Sequence, residues 1–196
     1  MTLTKSPAPS LGTSAPDFSL PATDGKTYTL RDFTDKDVLV VFFTCNHSPY
    51  AQAAKQKIVD LWKEFTGQSV QFVAINPNDI HQYPEDDFEH MKRIEYDYPF
   101  PYLRDESQET AKAFGAVCTP DIFVFDQDRN LVYRGQIDND RPGLGAVAAK
   151  VVLGKEFPAP SKTASHDLAD AIKVVLTSQK PDTDQQPSLG CSIKWK

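Results

Sequence analysis

The chain has 196 residues, the size of one domain, and its 40% hydrophobic and 24% charged residues exclude a disordered, collagenous or coiled-coil protein. Lys and Arg total 21 against 27 Asp and Glu, a net charge of −6 with no long basic run, which argues against a nucleic-acid backbone or an anionic membrane as partner. Three cysteines, Cys45, Cys118 and Cys191, are too few for a disulfide scaffold, and an odd count leaves at least one thiol unpaired within the chain. The first residues lack the apolar core of a secretion signal, and the longest apolar run, Val38 to Phe43, is too short to span a bilayer. A cytoplasmic, reducing location is therefore expected, where a cysteine is catalytic, metal-binding or buried rather than cross-linked.

Residues 1–10, rich in Pro, Ser and Thr, read as a flexible lead-in to a domain over 11–180, followed by a tail over 181–196. Asp17 to Leu20 and Lys26 to Leu30 flank Asp24-Gly25, a dipeptide suited to a tight turn, and predict an N-terminal β-hairpin. Val38 to Phe43 is a continuous β-branched and aromatic run, the pattern of a central strand covered on both faces. From Pro49 the period changes: Ala51, Ala54, Ile58, Leu61 and Phe65 mark one apolar face of a helix that stops at Gly67. Val70 to Ile75 predicts a second strand, parallel to the first across this helical crossover. Asn76 to Asp87 reads as a polar loop with Pro77 and Pro84, leading to a helix around Phe88 to Ile94. Tyr98 to Tyr102 is extended by its prolines, and a short helix near Ser107 to Phe114 ends at Gly115. Ile122 to Phe125 and Leu131 to Arg134 predict an antiparallel hairpin, and Leu168, Ile172, Val175 and Leu176 a last helix. The order predicts a three-layer α/β sandwich with a mixed central sheet.

Chemistry concentrates where the central strand meets the long helix. Cys45 lies at that junction, where unpaired backbone N–H groups and the helix dipole favour a thiolate and lower its pKa. His47 can add positive charge or shuttle a proton there. Ser48 and Pro49 fit an N-cap and first helical residue, and Cys45 and His47 also fit a packing sulfur and a loop side chain, so the pattern leaves both roles open. Asp126 to Asn130 resembles the start of a calcium loop, but Leu131 replaces its glycine, and the segment reads as a hairpin turn. His81, Glu85, Asp86, Asp87, Glu89 and His90 read as a solvated acidic surface. Cys45 with His47 falls short of a zinc ligand count, so neither metal nor other cofactor is expected.

Cys45-Asn46-His47-Ser48-Pro49-Tyr50 after Val-Val-Phe-Phe-Thr resembles the active-site segment of thioredoxin-fold proteins. It is most similar to a peroxiredoxin-like group of the alkyl hydroperoxide reductase and thiol-specific antioxidant (AhpC/TSA) superfamily whose motif is Cys-Asn-His-Cys-Pro. Gly12 to Pro21, Ala74 to Asp79, Tyr98 to Leu103, Gly115 to Asp121 and Gly190 to Lys196 are similar to other segments of that group. The resemblance implies a thioredoxin-like sandwich and a cis-proline at Thr119-Pro120, whose backbone would form a groove for an extended substrate and bring Cys118 near Cys45. It also implies a catalytic segment of Cys45, His47 and Ser48, in which Ser48 stands where the group has a second thiol. Serine cannot resolve a mixed disulfide, so resolution falls to Cys118 or Cys191, or to no second thiol. Peroxiredoxins carry a Thr three residues before the nucleophile and an Arg from a later strand; here Phe42 and Pro120 stand in those places. The expected function is thus a thiol-dependent redox protein acting on disulfides, with peroxides secondary, and with a thiol or disulfide protein or a small thiol as partner. The alternative is a catalytically degenerate binding or redox-sensing module. No oligomeric state is assigned.

Overall fold

The computed structural model describes residues 2–93, 98–157, 161 and 164–196. Its strands are β1 (Leu3–Lys5), β2 (Ser19–Pro21), β3 (Thr27–Thr29), β4 (Val38–Phe43), β5 (Val70–Asn76), β6 (Tyr102–Arg104), β7 (Cys118–Thr119), β8 (Asp121–Phe125), β9 (Leu131–Arg134) and β10 (Leu189–Ser192). Its helices are α1 (Pro49–Glu64), α2 (Phe88–Arg93), α3 (Glu109–Phe114), α4 (Leu144–Leu153) and α5 (Asp167–Leu176).

β4 lies at the centre of a five-stranded sheet ordered β6-β5-β4-β8-β9. It is parallel to β5 and antiparallel to β8, and β5–β6 and β8–β9 extend the parallel and antiparallel halves, so the sheet is mixed as expected. Alternate residues of a strand face opposite sides. Val38, Val40 and Phe42 join Ala54, Ile58, Leu168 and Ile172 in one apolar layer, beneath α1 and α5. Leu39, Val41 and Phe43 join Phe18, Leu20, Ala111 and Phe114 in the other, beneath α3 and the β2–β3 hairpin. Burial of each such side chain is worth about 1.5–3 kcal/mol, which ties the end of β4 firmly to its place. Where that strand stops, Ser48 caps α1 by accepting a hydrogen bond from Ala51 N–H at 3.4 Å, and Pro49 occupies the first turn.

Three features depart from the expected pattern. The lead-in and the tail come together: β10 pairs with β1 on one side and with β7 on the other, in a separate three-stranded sheet, and Ser6 N–H donates to Ser188 O at 2.9 Å. Segments of three or four residues carry too little alternation to register as strands, and their partner lies at the far end of the chain. α4 was not expected, because Leu144 to Leu153 contains a single charged residue, Lys150, and shows no polar face to mark a helical period. The helix expected to end at Ile94 is seen as α2 to Arg93, and Ile94 itself lies outside the described residues. Asp126 to Asn130 forms the expected turn, with Asn130 N–H donating to Asp126 Oδ1 at 2.8 Å.

Gly190 sets the closeness of β10 to β7. A Cβ at this position would lie 2.2 Å from Thr119 O and 2.9 Å from Pro120 N, both backbone atoms that cannot rotate away. Gly190→Ala is expected to lower the stability of the chain by about 1–3 kcal/mol, seen as a lower urea midpoint; an unchanged midpoint would show that the two strands separate without cost.

Candidate active site

Cys45 lies two positions after the end of β4 and four before the start of α1. Its Sγ lies 3.2 Å from Thr119 Oγ1, and the Ser48 backbone N–H also points at the sulfur. The Thr119-Pro120 peptide is cis, as the resemblance implied. The loop that carries it is held from behind by Asp121, which is fully buried and ion-paired to Arg134 Nη2 at 2.8 Å. Arg134 also donates to Gly115 O at 2.7 Å, so this arginine is spent on the loop and stands outside the cysteine site.

The thiolate expected at Cys45 is not favoured by its surroundings. Burial pushes the thiol pKa up, and the negative charge of Asp86 pushes it further, outweighing the hydrogen bonds from Thr119 and Ser48 N–H. The donors at the start of α1 are present, but the groups that cover the sulfur outweigh them.

Asp86, read from sequence as part of an exposed acidic surface, has no solvent exposure. Its Oδ1 accepts from Asn46 N–H at 2.6 Å, and its Oδ2 accepts from Asn78 Nδ2 at 2.8 Å and lies 2.6 Å from His47 Nδ1. Burial raises its pKa, but the bonds from His47, Asn78 and Asn46 prevail and hold it below the ordinary 3.8. No local signal marks it, since an acidic residue after Pro84 in a polar segment has the pattern of a surface turn. His47 is therefore oriented by a carboxylate, and its ring stacks on Tyr83 at 4.2 Å between centroids. Its Nε2 is buried with no hydrogen-bond partner among the described residues. Tyr102 OH donates to Asn46 Oδ1 at 2.8 Å and completes the ring of contacts around the loop.

The other expected site residues divide. Ser48 is fully buried, and its hydroxyl serves the cap of α1. Cys191 sits opposite Thr119 in the β10–β7 register, whereas Cys118 sits opposite Ser192 and bonds Pro120 O at 3.4 Å through its sulfur. All three cysteines are buried thiols. The substrate edge expected at Thr119 is occupied by β10, because two strand edges left open would expose unpaired backbone groups. Pro120 instead borders a groove with Tyr50, Ile122, Arg141, Ser188 and Leu189. Cys45 Sγ, a His47 ring nitrogen and an Asp86 oxygen lie within 4.8 Å of one another, so the fold supplies three donors where the sequence shows two. Each already has a protein partner or a place in the carboxylate network, and structural zinc takes four ligands, so no metal is assigned.

A mixed sheet whose central strand delivers a cysteine to a helix N-terminus, with a cis-proline against it, defines a thioredoxin-like protein. The thioredoxin domain of a thiol-disulfide oxidoreductase from Bacteroides vulgatus shares this fold, with a TM-score of 0.55 at 17% identity over 64% of this chain and 87% of that one. Residues 11–134 match the model of the AhpC/TSA family, and the chain belongs to that family. Peroxiredoxin Q of Oryza sativa subsp. japonica is 26% identical over 106 residues, 54% of this chain and 46% of that protein, so the match spans under half of that relative's length. The thiol-disulfide oxidoreductase ResA of Bacillus thuringiensis subsp. konkukian is 25% identical over 130 residues, 66% of this chain and 71% of that protein. Along its full length the chain is similar to an uncharacterized conserved protein from Geobacillus kaustophilus, with a TM-score of 0.86 and 40% identity over 100% of this chain and 97% of that one.

Asp86→Asn removes a buried charge beside Cys45 and leaves three donors facing an amide. Alkylation of Cys45 at pH 7 is expected to accelerate about tenfold, while stability falls by about 1–3 kcal/mol. Because the folded-state pKa of Asp86 is depressed, its stabilising contribution is present above the unfolded value and is lost as pH falls through the folded one. The variant should accordingly show a flatter loss of stability between pH 5 and acid, as followed by urea titration at a series of pH values.

Proposed function

We propose that this protein carries out thiol–disulfide exchange, with Cys45 as the attacking sulfur and a protein disulfide or small disulfide in the reducing cytoplasm as substrate. The observation that carries this reading is the Thr119 hydroxyl 3.2 Å from Cys45 Sγ, next to a cis-proline and at the start of α1. A hydroxyl and the Ser48 N–H aimed at one sulfur are the groups that stabilise a thiolate as it forms and as it leaves. His47, oriented by Asp86, is the proton acceptor, with its unpartnered Nε2 available for transfer. Peroxide is a secondary substrate. The residue three before Cys45 is Phe42, buried in the apolar layer, and it offers no hydroxyl to a peroxide. The raised thiol pKa and Ser48 favour a second reading, a redox-sensing or binding module that turns over slowly or not at all.

The two readings differ in the pH profile of Cys45. With a raised pKa, the thiolate fraction, and with it the rate of exchange with a chromogenic aryl disulfide, is expected to climb about tenfold per pH unit between pH 7 and 9. Cys45→Ser should remove at least nine-tenths of that rate. An unchanged rate in the Cys45→Ser variant sinks the proposal, and a Cys45 that stays unreactive throughout this range leaves the binding module as the function.

A further inference from the structure

The strand edge beside the cis-proline, where an extended substrate was expected, carries a thiol of the chain itself. β10 runs antiparallel to β7 with Cys191 directly opposite Thr119. Residues directly opposite one another in an antiparallel pair project to the same face, with Cβ atoms about 4.5–5.5 Å apart. Cys191 therefore shares a face with the Thr119 hydroxyl, which in turn is 3.2 Å from Cys45 Sγ. Cys118, one residue along β7, projects to the opposite face, with its sulfur on Pro120 O.

β10 is also anchored in position. Gly190 permits the approach to Thr119, Ile193 N–H donates to Val117 O at 3.0 Å, and Lys194 N–H donates to Asn78 Oδ1 at 2.9 Å. Asn78 is the same residue that donates to Asp86, so the segment after β10 and the His47–Asp86 pair share one support.

We infer that Cys191 is the resolving thiol of Cys45, filling from β10 the role that Ser48 cannot fill from α1. The inference rests on the reading of Cys45 as the attacking sulfur. The Cys45 thiolate attacks one sulfur of a substrate disulfide; a Cys45–substrate disulfide forms, and the second substrate sulfur leaves with the bonding pair and takes a proton. Cys191 then gives up its proton and attacks Cys45 Sγ, so the Cys45–Cys191 bond forms as the first substrate sulfur leaves and is protonated. Two electrons pass to the substrate, whose disulfide becomes two thiols, and two protein thiols become one disulfide. An external dithiol returns the protein to its starting state by the same exchange in reverse.

The test is oxidation of the full chain with glutathione disulfide, followed by intact-mass and peptide mapping without reduction. The unsubstituted chain and Cys118→Ser are each expected to lose two thiols, carry no glutathione, and yield a peptide linked through Cys45 and Cys191. In Cys191→Ser, Cys45 should instead keep one glutathione as a stable mixed disulfide. A stable Cys45–glutathione adduct in the unsubstituted chain, or a link from Cys45 to Cys118, overturns the role of Cys191 while leaving Cys45 as nucleophile. If Cys45 acquires neither glutathione nor a protein disulfide in any of the three chains, the proposed exchange function fails together with this inference. The result for the unsubstituted chain decides the matter even if a variant does not fold.

Discussion

A carboxylate sealed from solvent must be surrounded by donors, and the arrangement around Asp86 follows from that requirement. Its two oxygens gather Asn46 N–H and His47 from the segment between β4 and α1, and Asn78 from the segment after β5. Asn78 then receives Lys194 N–H, which fixes the chain beyond β10. One ion thus takes part in joining three stretches that are far apart in sequence, alongside the bond from Asp79 N–H to Lys194 O at 2.8 Å. The same charge works against ionisation of the nearby Cys45, so the group that assembles the site also restrains it. Reactivity and order are coupled here through a single side chain.

The site is built at the meeting of two sheets with different duties. The five-stranded sheet is buried on both faces, and its central strand delivers Cys45 to a fixed point. The small sheet of β1, β10 and β7 closes over that point from the side and occupies the edge of Thr119. The open edge on this side of the molecule is therefore the groove beside Pro120, not the strand edge of Thr119.

What sequence alone reveals here follows from range. β4, α1, β5 and the β8–β9 hairpin are legible because their signals are local: an unbroken apolar run, a helical spacing of Ala51, Ala54 and Ile58, and two apolar runs around a turn. Cys45 stands out because it lies between two such elements. Thr119-Pro120 was placed by resemblance rather than by pattern. Asp86 is hidden because its partners, Asn46, His47 and Asn78, lie at sequence distances that no local pattern records. β1 and β10 were hidden because each is too short to carry a period and is completed only by the other and by β7. α4, nearly uncharged, has no polar face to contrast with an apolar one. The direction of the Cys45 pKa was missed for the same reason as Asp86: it depends on what covers the sulfur, which no local spacing records.

The order of the strands has a temporal meaning. A chain made from its N-terminus releases β4, α1 and the Thr119-Pro120 turn before β10, so during synthesis Cys45 can be set in place while its neighbouring strand edge is still bare. In that interval Cys45 stands without Cys191, and the edge of β7 is free to hold another peptide. The arrival of β10 ends both conditions at once, covering the edge of β7 and setting Cys191 opposite Thr119.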